Sequence, residues 1–224
     1  MFLNVPGHGH VNPMLAVAQG LVQRGERVIY YLTEDFRAAI EATGATFRGY
    51  ESQMSRLQPS GNFTPCSMTA NPLPFMIVNE SAGVLPQMFE RIRADQPDYI
   101  LYDTMCLWAK IAAHALHVPA ILFCPSYASN GQFNPDRMMG AGISENLPFA
   151  AFRQVDGRLF KLCRAYGVEP FPALEMFMGS EALNIVFIPR EFQPGGETSM
   201  SSASSSGVRR SSPVSTRAIF RSSS

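Results

Sequence analysis

The sequence lacks a charge surplus. Its 224 residues carry 18 basic and 18 acidic side chains, and only 16% are charged, against about 25% in an average soluble protein. Nucleic acid asks for a basic excess, so it is not an expected partner. Metal-type cysteine spacing is also missing. The four cysteines, Cys66, Cys106, Cys124 and Cys163, form no CxxC pair. Cys106 and Cys124 stand in apolar runs, the setting of buried free thiols. No run of about 18 apolar residues exists, so no membrane span is expected. No basic stretch precedes Phe2 as in a signal peptide. These absences lead to the expectation of a cytoplasmic globular protein.

The zero balance conceals two different parts. Residues 198–224 contain Arg209, Arg210, Arg217 and Arg221 but no acid, and serine fills 12 of their 27 positions. Without them the chain holds 14 basic and 18 acidic residues. We therefore divide the chain into a mildly acidic domain, 1–197, and a Ser/Arg-rich tail, 198–224. The tail has no apolar periodicity, and disorder is expected of it.

Residues 1–197 alternate strand and helix signals. Phe2-Leu3-Asn4-Val5 is a short apolar run that stops at Pro6-Gly7. Asn12 followed by Pro13 predicts a helix N-cap and first turn, with Met14, Leu15, Val17, Ala18, Leu21 and Val22 at helical spacing. Further strands are expected at 27–32, 46–50, 99–102, 120–124 and 183–188. Helices are expected at 35–43, 74–94, 107–117 and 149–166. Residues 51–72 and 131–148 read as irregular. This rhythm predicts an α/β fold, a Rossmann-like doubly wound parallel sheet with helices on both faces.

Several sites are excluded by missing residues. The first strand-to-helix turn, Pro6-Gly7-His8-Gly9-His10-Val11-Asn12-Pro13, contains GxG but has Asn12 where a dinucleotide fingerprint needs glycine. No GK[ST] follows, and Ser126 lacks the GxSxG frame of a hydrolase elbow. His8, His10, His114 and His117 have no acidic ligand cluster beside them, so no metal is expected. The turn nonetheless lies at the carboxyl edge of a parallel sheet, where ligands bind. Its glycines are expected to allow a tight bend that brings a histidine to that edge. His8 and His10 both qualify, and either can equally be a structural loop residue.

Asp103 ends the strand Tyr99–Tyr102 and reaches the same edge. In the common strand order 3-2-1-4-5, the first and fourth strands are neighbours at the switch point. His10 and Asp103 would then flank one crevice, as a histidine base and its orienting carboxylate do. The competing role for Asp103 is a helix N-cap for the segment near Leu107. Phe75, Met76, Phe133, Met138 and Phe149 are apolar residues in or near loops. They suit either the core or an apolar ligand pocket.

Taken together, the motifs resemble one family. GHGHVNP after the first strand, ERVIYYLTEDF, PDYILYD followed by LWAKIAAHALHVPAI, and LNIVFIPREFQP are similar to the UDP-glycosyltransferases, and to their bacterial macrolide-type branch above all. The resemblance spans about residues 1–197. It implies the N-terminal, acceptor-binding half of a two-domain GT-B fold. It also implies inverting transfer of a hexose from a nucleoside-diphosphate sugar to a hydroxyl of a small lipophilic acceptor. On that resemblance the catalytic pair falls on His10 and Asp103. Phe75, Met76, Phe133, Met138 and Phe149 would face the acceptor, and Gly9 and Asn12 the donor. A UDP-sugar enters as co-substrate, with no other cofactor and no metal expected.

The sequence departs from the family after Glu197. The HxGxxS-type motif of the donor-binding half does not occur, and TSMSSASSSGVRRSSPVSTRAIFRSSS follows instead. A shifted reading frame is the expected origin of that text. The nucleotide-sugar would then be held by a missing C-terminal domain, and this chain alone would be inactive. The alternative is a non-catalytic module that binds small lipophiles, or an inactive fragment.

Overall fold

The structure is a computed structural model and describes residues 1–56, 73–128, 149–178 and 181–193. Six strands form one parallel sheet: β1 (Phe2–Leu3), β2 (Ile29–Leu32), β3 (Thr46–Gly49), β4 (Ile100–Asp103), β5 (Ala120–Cys124) and β6 (Leu183–Val186). Their order is β3-β2-β1-β4-β5-β6. The order reverses between β1 and β4, so the switch point lies where the sequence pattern places it. The fold is the expected Rossmann-like α/β arrangement.

Strand composition explains the burial. Every residue of β2 and of β4 is buried. Strands covered on both faces read as continuous apolar runs, not as alternating ones, and IYYL and ILYD do so. Register pairs Phe2 with Tyr30 and Leu101, and Leu3 with Tyr31 and Tyr102. One residue further along, Asn4 and Asp103 stand level at the carboxyl edge.

Among the described residues seven α-helices accompany the strands: α1 (His8–Val22), α2 (Arg37–Glu41), α3 (Gln53–Arg56), α4 (Leu73–Asp95), α5 (Leu107–Ala115), α6 (Phe149–Ala165) and α7 (Glu175–Met178). Helix α4 buries Ile77, Val84, Leu85, Met88 and Ile92 along one stripe, the spacing of a helix face against a core. Helix α5 is buried over all of Leu107–Ala113. Between α2 and β3, Gly44 adopts φ +86, and a Cβ there would lie 2.8 Å from Cγ1 of Val22. Only glycine takes that conformation at low cost.

Two expectations need correction. Helix α1 does not start after Asn12. Its first turn closes on the carbonyl of Gly7, which accepts bonds from the amides of His10 and Val11 at 2.9 Å. Gly7 is the N-cap, with extended φ −145 and ψ 130. Asn12 and Pro13 therefore lie inside the helix, and Pro13 forgoes the bond its missing N–H would have made. Secondly, α3 occupies Gln53–Arg56 within a stretch read as loop. The amides of Gln53 and Met54 are capped by Oε2 of Glu80, at 3.0 and 3.2 Å, a long-range contact that local spacing does not reveal. Residues 57–72, 129–148 and the tail 198–224, with Phe133, Met138 and the boundary at 197, lie outside the described residues.

Candidate functional site

The site is rooted in the centre of the sheet. Strand β1 delivers the turn Pro6-Gly7 and the first residues of α1, and the neighbouring β4 delivers Asp103. Nδ1 of His10 lies 2.7 Å from Oδ2 of Asp103, although the residues are 93 positions apart. Of the two competing histidines, His10 is the one that meets the carboxylate. His8 is exposed, its ring 4.9 Å from that of Phe36.

Both oxygens of Asp103 are engaged. Oδ1 accepts the amide of Met105 at 2.9 Å, and the main-chain carbonyl of Asp103 accepts the amide of Cys106 at 2.8 Å. This is an aspartate turn. The helix-cap role considered for Asp103 goes elsewhere, because Cys106 is the N-cap of α5. Asp103 is fully sealed, whereas the His10 side chain keeps 27% of its surface open.

With Nδ1–H donating to the carboxylate, Nε2 is left as the proton acceptor. Burial of the ring disfavours its charged form. The hydrogen bond to Asp103 and the charge of that carboxylate outweigh the burial, so His10 titrates above its ordinary 6.5. The arrangement can take a proton at Nε2 and stabilise the resulting imidazolium at Nδ1.

One further residue, Asn4, holds this turn from the sheet, and sequence reasoning did not single it out. Asn4 is completely buried. Its Nδ2 donates to the carbonyl of His10 at 3.0 Å. Its Oδ1 accepts the hydroxyl of Tyr30 at 2.7 Å, and its main-chain carbonyl accepts the hydroxyl of Tyr50 at 2.9 Å. The available signal was a polar residue inside the apolar run Phe2–Val5. Close by in sequence, Gly7 approaches the ring, since a Cβ there would lie 3.4 Å from Cδ2 of His10.

The remaining expected site residues are more scattered. Phe75 is half-buried and packs against the core from α4, and Met76 beside it is also half-buried. Phe149 is the first residue of α6. Gly9 and Asn12 are exposed positions of α1, and a Cβ at Gly9 would meet nothing within 4 Å. Neither Gly7 nor Gly9 has a positive φ, so the turn at Pro6-Gly7, closed by the Gly7 amide on the carbonyl of Val5 at 2.9 Å, does not draw on glycine's left-handed freedom.

Away from the site, Nζ of Lys110 lies 2.6 Å from Glu175 and 3.6 Å from Glu181. The hydroxyl of Tyr102 donates to Glu181 at 2.7 Å, and His114 reaches the same carboxylate at 3.3 Å. This brace ties α5 and β4 to the approach to β6. Among the described residues no group of three His, Cys, Asp or Glu side chains converges as metal ligands do. No described helix is long and apolar enough to cross a membrane.

No family model matches the sequence. Individual proteins do. The chain is 36% identical over 203 residues to the NDP-glycosyltransferase YjiC of Bacillus subtilis, covering 88% of this chain and 47% of that one. It is 28% identical over 205 residues to the demethyllactenocin mycarosyltransferase of Streptomyces fradiae, covering 88% and 44%. Among solved structures, the calicheamicin glycosyltransferase CalG4 superposes with a TM-score of 0.72 at 29% identity, over 88% of this chain and 49% of that one. The glycosyltransferase of kitacinnamycin gives 0.69 at 26% identity. The resemblance to glycosyltransferases of the GT-B fold thus holds, and the chain spans about half the length of the curated relatives it matches.

Proposed function

We propose that this chain is the acceptor-binding half of an inverting glycosyltransferase. The reaction moves a hexose from a nucleoside-diphosphate sugar, a UDP-sugar in our reading, to a hydroxyl of a small lipophilic acceptor. The observation that carries the reading is the 2.7 Å bond between His10 and Asp103 at the switch point, in a chain 36% identical to an NDP-glycosyltransferase.

Nε2 of His10 removes the proton of the acceptor hydroxyl as its oxygen attacks the anomeric carbon. The bond from that carbon to the diphosphate oxygen breaks, and the nucleoside diphosphate leaves with the bonding pair. Asp103 keeps Nε2 aimed at the hydroxyl and offsets the imidazolium charge. General-base help of this kind is worth roughly 10²–10⁴ in rate. No metal enters this proposal.

Phe75, Met76 and Phe149, with Phe133 and Met138, supply the apolar acceptor wall in this reading. Gly9 and Asn12 face the donor from exposed positions at the start of α1. We assign 1–197 to the acceptor domain and 198–224 to a tail outside it, with the donor held by a second domain. Buried free thiols at Cys106, Cys124 and Cys163 suit a reducing cytoplasm.

The test has two arms. Titration of the chain with hydrophobic phenols should show binding, and UDP-glucose with the same phenols should show no transfer. Adding the donor-binding half of a close relative should restore transfer, and His10→Ala should remove it while phenol binding persists. Transfer by the chain alone would overturn the two-domain reading. Phenol binding with no transfer under any pairing would favour a non-catalytic lipophile-binding module.

A further inference from the structure

The buried cluster around Asn4 is absorbed neither by the fold nor by the reaction just described. Asn4 sits one residue beyond β1, with no solvent contact. A buried side-chain amide must satisfy its donors and acceptor, or it is costly. Asn4 meets that demand in a directed way. Its Oδ1 is fixed by Tyr30 on β2, at 2.7 Å, which sets the plane of the amide. Its Nδ2 then points at one atom of α1, the carbonyl of His10, at 3.0 Å. The carbonyl and the imidazole belong to the same residue, and Pro13 three positions on weakens the helix's own bonding in this turn.

We propose that Asn4 is a positioning residue for His10: its amide, aligned by Tyr30, fixes the main chain of the first turn of α1 so that the imidazole meets Asp103 through Nδ1. The inference rests on the reading of His10 as the base. Helix propensity alone would let this turn drift, because Gly7 and Gly9 flank it and Gly7 offers no side-chain cap. The amide supplies the missing restraint from the sheet. It acts on the backbone, so it constrains the ring without occupying Nε2.

The experiment uses the 224-residue chain and reads the imidazole by nuclear magnetic resonance, with no transfer assay. In the native chain His10 should show a slowly exchanging Nδ1–H proton and the tautomer with Nε2 unprotonated. Asn4→Leu, close in size and unable to donate, should lose that resonance and mix the tautomers while the chain stays folded. Tyr50→Phe is the control. It removes a buried bond to the main chain of Asn4 and leaves the bond to His10 in place, so the resonance should survive.

An unchanged Nδ1–H signal in folded Asn4→Leu would overturn the proposal. Loss of the signal in both variants would overturn it too, because it would then report general loosening. If Asn4→Leu does not fold, Asn4→Ser takes its place, and retention of the signal there would be decisive against the idea. The reading of His10 as base fails separately, through undiminished transfer by His10→Ala in the reconstituted enzyme.

Discussion

His10 and Asp103 are joined by a bond in which one partner is sealed and the other is open. The carboxylate has no solvent contact, and the imidazole keeps about a quarter of its side-chain surface exposed. The proton-accepting edge can therefore face a substrate while its counter-charge stays out of water, where it is least screened.

Asp103→Asn should reverse the direction in which His10 is shifted. In the native chain burial lowers the imidazole's pKa and Asp103 more than compensates. With the charge removed, burial remains, and the midpoint should fall below 6.5. Proton resonance titration of the C2–H measures it. A midpoint still above 6.5 would show that another group holds the charge.

The same shift gives stability a definite slope. A histidine whose folded pKa lies above the unfolded 6.5 contributes stability that is full below 6.5. That contribution is lost as pH rises through the folded value. The urea midpoint of the native chain should exceed that of His10→Gln most at pH below 6.5, and the gap should close on the alkaline side. A gap constant with pH would contradict the pairing.

Gly44→Ala should destabilise the chain. The backbone at φ +86 is strained for any side chain, and the added methyl meets Val22 at 2.8 Å. A cost of about 1–3 kcal/mol is expected, read from urea unfolding. A neutral outcome would mean that the turn into β3 relaxes.

Lys110→Ala should cost about 1–3 kcal/mol, less than for a sealed pair, because Glu175 is partly open to water and Glu181 keeps its bonds from Tyr102 and His114. It leaves Glu175 and Glu181 without their shared cation. Burial pushes the Glu181 carboxyl up, but the bonds from His114 and Tyr102 and the charge of Lys110 hold it below its ordinary 4.5. Stability from Glu181 is therefore present above 4.5 and is lost as pH falls through the lowered value. The deficit of the variant should be greatest above 4.5 and shrink in acid. An equal deficit at all pH would point to lost packing instead.

The strand order and the pair at its switch point were legible because Asp103 ends an apolar strand and His10 follows the turn that closes the first one. The helix start was not. Asn12-Pro13 carries a strong capping signal, but an extended Gly7 takes the N-cap position five residues before Asn12. Asn4 was visible only as a polar interruption. Its three partners come from β2, α1 and the chain after β3, and nothing in local spacing links those segments. The Lys110 brace was hidden for the same reason, since Glu175 and Glu181 lie on the far side of α6.

Strand β1 has only two residues, yet it lies between β2 and β4 in the middle of the sheet. Amide hydrogens there cannot exchange by fraying at an edge, because both neighbouring ladders must part first. The support of the imidazole therefore belongs to the last cooperative unit to open. Larger motion must come from elements further out, while His10 keeps its address.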